Sequence, residues 1–338
     1  MLYKINVGLL LPGDIILVGY NDKRSREIQK RTKSQFSHAM LYWYDSILHA
    51  SSIVITKNPS RILLEEDEAA CIMRLKDEYR NDWRIRDLIT YARTFVGTFY
   101  DTKALIAMKN GEKVEPNENR QMCAKYVAQC YDYVCLDLVE NYELCSPEDI
   151  HKSKLLYSID NILLEATQED IDFAKSYDVT QVQFESIYKF LISLNRKFPK
   201  EDIVSLNQLE AFIEANPSNG DCALELMRQT DYFDLWRLEK EHCQYLYDVE
   251  AFKNKWKGDS VNQALGVIDS SKRIVKDKQG DIQIYEKKRR EVGDIEYYRQ
   301  MIDLKLNVVE AAKQRIKVAE QVLLAEEGIV KIKYPWCQ

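Results

Sequence analysis

A cysteine at the predicted start of an amphipathic helix is the side chain best suited to chemistry in this chain. Apolar or sulfur side chains follow Cys123 at helical spacing, at Val127, Cys130 and Val134. This spacing predicts a helix whose apolar stripe faces a core, with Cys123 in the first turn. Unpaired N–H groups there favour a thiolate and can donate to an oxyanion. The same pattern also fits an unreactive packed cysteine, because cysteine is among the most buried residue types.

The base that a cysteine nucleophile needs is offered by two of the four histidines in the chain. His38 and His49 lie in two β-rich runs, residues 37–43 and 46–51, which predict a hairpin. Adjacent strands would bring the rings together, so that His38 accepts the proton of Cys123 and His49 fixes the tautomer of His38. A purely structural role for the pair remains open on the pattern alone.

Strands precede helices in the part of the chain that contains these residues. The predicted strands cover residues 14–20, after a Pro12-Gly13 turn, the two hairpin runs joined by a turn at Tyr44 and Asp45, and residues 70–75, after an acidic turn over residues 65–68. The predicted helices are one capped by Asn81 or Asp82 and ending at Gly97, a short one opening at residues 99–101, the Cys123 helix, and one that Ser146 caps with Pro147 at its first position. A polar loop is predicted over residues 112–118.

A basic stretch around residues 24–33 is predicted to form a short solvated helix or loop. Its cations are Arg24, Arg26, Lys30, Arg31 and Lys33. A solvated face is the simpler interpretation of such a run, and contact with an anionic substrate or headgroup is the alternative.

The chain beyond residue 167 shows almost no strand periodicity and predicts an all-α region. Helical segments are predicted at residues 171–175, 184–194, 206–213, 224–228 and 232–247, with an interior loop at 216–220. Residues 295–327 carry Ile302, Leu306, Val309, Ile316 and Leu323 in heptad-like register, which predicts a helical hairpin or coiled-coil arm. The basic segment 270–290 is predicted to be a solvated helix face, with an acidic partner or nucleic acid as the alternative. His151 and His242 lie in polar helical contexts and are predicted to be solvated.

Length and composition predict a globular protein of two domains. At 338 residues the chain exceeds the usual size of a single core, and we predict domains over residues 1–165 and 166–338. A net charge of -6 makes general nucleic-acid binding unlikely, because such binders carry a basic surplus. The apolar run near Met1 is too short for a signal sequence, and no window is long enough to span a bilayer. We therefore expect a cytoplasmic protein without a transmembrane segment.

The eight cysteines predict reduced thiols rather than a disulfide framework. They lie at irregular spacings, at Cys71, Cys123, Cys130, Cys135, Cys145, Cys222, Cys243 and Cys337. The cluster from Cys123 to Cys145, with His151, lacks a C-x-x-C knuckle, so zinc is not favoured. No glycine-rich phosphate loop is present. We expect no cofactor and no metal.

Several short motifs, taken in order, resemble a known family. They are Leu11-Pro12-Gly13-Asp14, Phe36-Ser37-His38-Ala39, Ile47-Leu48-His49-Ala50-Ser51, Gly97-Thr98-Phe99-Tyr100-Asp101, the Cys123 helix and Ser146-Pro147-Glu148-Asp149. Together they resemble the circularly permuted papain-like cysteine hydrolases, the YiiX-like branch of the NlpC superfamily, related to the lecithin:retinol acyltransferase-like enzymes. In the permuted branch the histidine strand precedes the cysteine helix, as it does here.

The resemblance implies an α+β fold, with a permuted papain-like domain of small antiparallel sheet and helices followed by the all-α domain. It also implies that Cys123 is the nucleophile, His38 the general base and His49 the orienting third member. Two departures stand out. The YiiX-like enzymes tend to have Cys-Ser-Glu at the nucleophile and an acid at the third position, where this chain has Cys123-Ala124-Lys125 and His49. Gly13-Asp14 and Tyr100-Asp101 are expected to be structural.

Two functions follow as hypotheses. The first is a cysteine hydrolase or acyltransferase that attacks an amide, ester or thioester through a Cys123 thioester, with amide or peptide cleavage ahead of lipid acyl chemistry. Its partners would be a small-molecule, peptide or lipid acyl substrate. The second is an inactive papain-like scaffold whose helical domain binds a protein or nucleic acid, or mediates self-association. The retention of both His38 and Cys123 favours the enzyme.

Overall fold

The architecture was examined in a computed structural model, which describes residues 1–43, 46–66, 68–110, 117, 119–159 and 161–326. The predicted hairpin turn at Tyr44 and Asp45, most of the predicted 112–118 loop, and Cys337 lie outside these residues.

Nine strands and thirteen α-helices are assigned in the described chain. The strands are β1 (Leu2–Ile5), β2 (Ile15–Gly19), β3 (His38–Trp43), β4 (Ser46–Ala50), β5 (Val54–Lys57), β6 (Leu63–Glu65), β7 (Ala69–Leu75), β8 (Leu156–Ile159) and β9 (Leu163–Glu165). The helices are α1 (Lys23–Thr32), α2 (Asp82–Arg93), α3 (Thr102–Asn110), α4 (Cys123–Asp132), α5 (Pro147–His151), α6 (Gln168–Lys175), α7 (Val179–Lys197), α8 (Leu206–Ala215), α9 (Asn219–Arg228), α10 (Leu235–His242), α11 (Val249–Lys255), α12 (Ser260–Glu291) and α13 (Glu296–Ala325).

A six-stranded antiparallel sheet in the order β5-β4-β3-β2-β7-β8 forms the centre of the N-terminal part. β2 is buried along its whole length. Ile15 and Leu17 pack into one apolar cluster, while Ile16 and Val18 pack into another. The sheet is therefore covered on both faces, which explains why β2 is a continuous apolar run rather than an alternating one.

The first apolar cluster lies between this sheet and the helices. Ala39 and Leu41 of β3 meet Val127 and Cys130 of α4 there, together with Leu88 of α2. The predicted amphipathic stripe of the Cys123 helix is thus confirmed. The α+β fold class, with the helical region after it, is also confirmed.

Short strands with little periodicity were missed. β1 pairs with β6 on one side and β9 on the other, forming a second, three-stranded sheet. β8 adds a sixth strand to the main sheet by pairing with β7. Strands of three or four residues are too short to show the period-two alternation from which a strand is predicted.

Helix boundaries follow the capping residues that the sequence offers. Asn81 accepts from the Arg84 N–H and begins α2, as predicted, and Ser146 forms a capping box with Asp149 that begins α5. The basic stretch forms α1, whose cap is Asp22. The prediction that α2 extends to Gly97 was wrong, because the α-helix ends at Arg93.

Contacts divide the chain into two compact units. The first contains Met1–Leu191 with Phe198–Leu209, and the second contains Ile192–Lys197 with the residues from Glu210 onwards. The boundary expected after residue 165 stays a prediction. Within the described residues, no helix is both long and apolar enough to cross a membrane.

In the second unit, two long helices, α12 and α13, follow one another and pack together. Ile302 and Val309 of the predicted heptad are buried, but Leu306 is half exposed, so this position of the predicted register was wrong. Ala312, Ala319 and Val322 are the residues that continue the buried stripe.

Two other helical predictions in this unit need correction. The segment over residues 232–247 is not one helix, since α10 lies between two short 3-10 turns at Asp231–Phe233 and Gln244–Leu246. The predicted loop over residues 216–220 is shorter, because α9 already begins at Asn219.

A buried ion pair fixes the start of β2. Asp14 is fully buried, and it accepts from Arg74 Nε at 2.8 Å and from the Leu11 N–H at 2.7 Å. Arg74 also donates to the Leu9 carbonyl at 2.6 Å. Asp14 therefore has the structural role that was expected of it.

We expect Arg74→Gln to lower the free energy of unfolding by about 3 kcal/mol, because it leaves the Asp14 carboxylate buried without its cation. The measurement is urea unfolding followed by circular dichroism. Arg86→Gln, on the exposed side of α2, is the control and should change stability by less than about 0.5 kcal/mol. Equal effects of the two substitutions would contradict the role assigned to the buried pair.

Candidate active site

The two predicted histidines are brought together by the pairing of β3 and β4. Leu41 lies opposite Leu48 in this antiparallel pair, so His38 and His49 are diagonal neighbours on the same face. His38 Nε2 and His49 Nδ1 are 2.8 Å apart, and the rings meet edge to face at a centroid distance of 4.9 Å. The hairpin prediction and the contact between its two imidazoles are both confirmed.

The hydrogen bond between the imidazoles restricts their tautomers. One ring must donate and the other accept, since both are in the same short contact. If His38 donates from Nε2, its Nδ1 keeps a free lone pair, and His49 then carries its proton on Nε2. His49 Nε2 is buried and has no hydrogen-bond partner among the described residues. The tautomer that leaves His38 able to accept a proton therefore leaves one buried N–H of His49 unpaired.

Cys123 is the first residue of α4, and its sulfur contacts the strand backbone on either side of His38. Sγ lies 3.9 Å from the Ser37 carbonyl oxygen, and the Ala39 N–H points at the sulfur. The side chain is 6% exposed. The sequence prediction of a helix that starts at the cysteine is confirmed.

The cysteine and the histidines approach β3 from different sides. Ala39 packs into the cluster that contains α4, whereas Met40 packs into the cluster on the opposite face, and His38 has the parity of Met40. In the described part of the chain, neither imidazole is hydrogen-bonded to the Cys123 sulfur. The fold thus places the sulfur against the backbone at His38, without a hydrogen bond between the sulfur and the His38 ring among the described contacts.

Tyr100 and Arg24 complete the surroundings of the sulfur, and neither was predicted to take part. The Tyr100 N–H donates to the Ser52 carbonyl, after β4, and the Gln121 N–H, before α4, donates to the Phe99 carbonyl, so the Tyr100 segment is held between β4 and α4. The Tyr100 hydroxyl lies beside Cys123 and lowers the pKa of its thiol. The Arg24 guanidinium lies 4.8 Å from the centre of the Tyr100 ring. No local pattern marks these residues, because the contacts join segments far apart in sequence.

Burial controls the protonation of the site. It raises the pKa of the Cys123 thiol, an effect that the Ala39 and Ala124 N–H groups oppose. The pKa of His38 is lowered to about 4, mainly by burial and to a smaller extent by the cations of Arg24 and Lys57. His49 has its pKa lowered for the same main reason, burial. The resting site therefore contains a neutral thiol and neutral imidazoles, rather than the thiolate that the helix start alone would favour.

Two cavities adjoin these residues. A cavity of about 230 Å³ is lined by Ser37, His38, His49 and Tyr100. A wider one of about 610 Å³ shares Arg24 and Tyr100 with it. Ser37 and Tyr100, which contact Cys123, line the smaller cavity, whereas Cys123 itself is in the lining of neither.

Lys125, one of the two departures from the family pattern, has a structural role. Its side chain is 2% exposed, and its ammonium lies 2.5 Å from a Glu143 carboxylate oxygen and 2.9 Å from the Asn117 carbonyl oxygen. A buried cation in the first turn of α4 is stable because it is paired and hydrogen-bonded. Lys125 thereby anchors the chain on both sides of the Cys123 helix.

The remaining candidates lie elsewhere or have structural roles. Asp101 accepts from the Ala104 N–H at 2.8 Å and caps α3, as expected. The prediction that His151 is solvated was wrong in part, since its ring is half-buried and meets Phe36 edge to face at 5.0 Å. His242 is exposed.

The other thiols form neither disulfides nor metal sites in the described chain. None of the seven cysteines that the structure describes is in a disulfide. Across those residues, no group of three or more His, Cys, Asp or Glu side chains is arranged to hold a metal ion.

A comparison with protein-family models identifies the family of this chain. A family model described as permuted papain-like amidase enzymes of the YaeF/YiiX, C92 family matches residues 10–180. The chain belongs to this family. The C92 model covers the sheet, both histidines and the Cys123 helix, and it identifies the protein as a papain-like hydrolase of the amidase or peptidase class.

A solved structure shows a weak similarity to this chain, and the curated proteins contain no match. A crystal structure of the metalloprotein YiiX from Escherichia coli O157:H7 is similar over 44% of this chain and 95% of that chain, with 16% identity and a TM-score of 0.36.

We expect the His38 imidazole to titrate near pH 4 rather than at its ordinary value of about 6.5, because burial, Arg24 and Lys57 all disfavour its charged form. The measurement is the proton NMR titration of the His38 ring. Arg24→Gln should raise this pKa by removing one cation, and Arg26→Gln should leave it unchanged. Titration of His38 near its ordinary value would contradict the assignment.

Proposed function

We propose that this C92 protein is a cysteine amidase that works through a Cys123 thioester, with His38 as the base and His49 as the residue that orients it. The observation that supports this most is that the three groups meet at one point of β3, the sulfur against the strand backbone and the two imidazoles on the opposite face. Sγ lies against the backbone of residues 37 and 39, while the ring between them is fixed at 2.8 Å from His49. Short catalytic hydrogen bonds often form only when substrate is bound, so their absence in the free enzyme is compatible with the mechanism.

Acylation begins from the neutral pair. As Sγ attacks the amide carbonyl, the thiol proton passes to His38 Nδ1, the S–C bond forms and the carbonyl oxygen becomes an oxyanion. The N–H groups at the start of α4 and the Tyr100 hydroxyl are the donors proposed for that oxyanion. His38 then returns the proton to the departing amine as the C–N bond breaks. The product of this half-reaction is the thioester on Cys123.

Deacylation repeats the same proton transfers with water. His38 takes a proton from water as the oxygen attacks the thioester carbonyl, and the thiol leaves with that proton. Over the two half-reactions, an amide and water are converted to a carboxylic acid and an amine, without any redox change. A low pKa keeps His38 in its basic form in both halves.

His49 orients the base but adds no negative charge. In the tautomer that frees His38 Nδ1, His49 Nδ1 accepts from His38 Nε2–H, and this fixes the ring. A neutral imidazole stabilises the imidazolium less than a carboxylate would. The imidazolium of His38 is therefore a high-energy species, in line with the lowered pKa of this ring.

Acyl transfer and lipid acyl hydrolysis use the same thioester and differ in the acceptor or the acyl group. The apolar side chains of the wider cavity, among them Ile28 and Leu105, suit an acyl chain. We place amide hydrolysis first because the family model describes amidases. The seven described cysteines, none of which is in a disulfide, suit the reducing cytoplasm that the sequence predicts.

We expect wild-type protein, incubated with a small thioester such as an acetyl thioester, to gain one acyl group on Cys123, detected by intact mass and peptide mapping. His38→Ala should slow this acylation by about 10²–10⁴-fold, the usual contribution of a general base. Cys130→Ala, which removes another buried thiol of α4, is the matched control and should keep acylation.

The outcomes separate the alternatives. Acylation of Cys123 followed by transfer to an added alcohol or amine faster than to water would favour the acyltransferase. Acylation that is absent in wild type, or equally fast in His38→Ala, would contradict the proposal and favour the inactive scaffold, whose helical region would then carry the function.

We expect Tyr100→Phe to raise the pKa of the Cys123 thiol further, because the hydroxyl that lowers it is removed. The thiolate absorbance in the ultraviolet, measured against Cys123→Ala across pH, gives this value. A pKa that is lower in Tyr100→Phe than in wild type would contradict the contact between hydroxyl and sulfur.

A further inference from the structure

The wider cavity beside the site has the size of a small-molecule pocket. Its volume of about 610 Å³ lies within the range of about 300–1,000 Å³ that is typical of ligand sites. Arg24, Ile28, Ser51 and Tyr100 line both this cavity and the smaller one, which is also lined by His38. A ligand seated in the wider cavity would therefore extend toward the groups proposed to react.

Part of the lining of this cavity is apolar and accessible. It consists of Ile28, Leu105, Ile106 and Tyr188. Ile106 is 50% exposed and Tyr188 is 39% exposed, which is a high exposure for large apolar side chains. These side chains suit a short hydrocarbon chain.

The lining also carries charged side chains. Lys23 and Arg24 begin α1 and line the cavity, as does Glu27, which has an interaction of its own. Among the described residues, neither cation forms an ion pair with a carboxylate. Asp22 is engaged in its own cap, accepting from the Arg24 and Ser25 N–H groups and the Ser25 hydroxyl. The two cations are thus placed to meet an anionic group of a ligand.

The position of Arg24 makes it the stronger of the two cations for recognition. Its guanidinium is held 4.8 Å from the centre of the Tyr100 ring while the residue remains exposed. A planar guanidinium that is already positioned loses less freedom when it binds, and it can donate two parallel hydrogen bonds to a carboxylate or phosphate. The effect of Arg24 on His38 indicates that its field reaches the site.

We propose that the wider cavity binds a substrate with an apolar chain and an anionic group, and that Arg24, assisted by Lys23, is the residue that selects the anion. The inference rests on the amidase proposed above and names its substrate class, an amide of a short fatty acid that bears a carboxylate or a phosphate. The apolar side chains of the lining bind the hydrocarbon chain, and the two cations bind the anionic group. The cations at the start of α1 then bind the substrate and are not merely a solvated face.

The test is calorimetric binding to the full-length Cys123→Ala protein, in which no turnover occurs. N-octanoylglycine is compared with N-octanoylglycinamide, which has the same chain and amide bond without the charge. N-octanoyl-phosphoethanolamine is compared with N-octanoylethanolamine to distinguish phosphate from carboxylate. We expect at least one anionic ligand to bind about tenfold more tightly than its neutral partner, as one charge-assisted contact provides, and this preference to fall with added salt.

Three variants in the same background identify the residue. Arg24→Gln should remove the preference for the anion. Arg24→Lys should keep part of it, because lysine keeps the positive charge but cannot donate two parallel hydrogen bonds. Arg26→Gln is the matched control, a cation of the same helix that is exposed and outside the cavity lining, and it should keep the preference.

Equal binding of charged and neutral ligands in both pairs overturns the inference, as does the absence of saturable binding or an equal loss in Arg24→Gln and Arg26→Gln. Binding with the expected preference in Cys123→Ala, but no hydrolysis of the bound ligand by wild type, would support the anion site and count against the amidase. The two proposals therefore fail in distinguishable ways.

Discussion

The packing of α4 against β3 is the contact on which the arrangement of the site depends. Val127 and Cys130 of the helix share a buried cluster with Ala39 and Leu41 of the strand, so the helix start is fixed at the end of the sheet. Cys123 consequently meets the strand backbone beside His38. The ion pair of Lys125 with Glu143 holds the same turn of α4 from the other side.

The main sheet positions the two histidines because both of its faces are covered. Because each face has its own apolar cluster, the register of β2, β3 and β4 is strongly specified, since a shift by one residue would exchange the two faces. That register makes His38 and His49 diagonal neighbours. The bond between the two imidazoles is therefore a consequence of core packing as much as of the histidines themselves.

The same burial that gives the site its geometry determines its charge state. Water is largely excluded from Cys123 and His49, and burial opposes both the thiolate and the imidazolium. Arg24 and Lys57 add positive charge, which lowers the pKa of His38 still further. The site therefore has neutral reacting groups at rest, cations nearby, and an adjoining cavity whose lining contains both apolar and charged side chains.

The sequence by itself determined the hairpin of His38 and His49, the helix that begins at Cys123, the caps at Asn81 and Ser146, and the family, because each depends on local periodicity, capping or the order of motifs. Only the tertiary structure decided the rest. The Tyr100 and Arg24 contacts, the anchoring of Lys125 and the pairing of β1 with β9 join segments distant in sequence, and no local pattern encodes such contacts. The protonation of Cys123 was also decided there: a helix start alone favours the thiolate, but burial in the assembled core outweighs it.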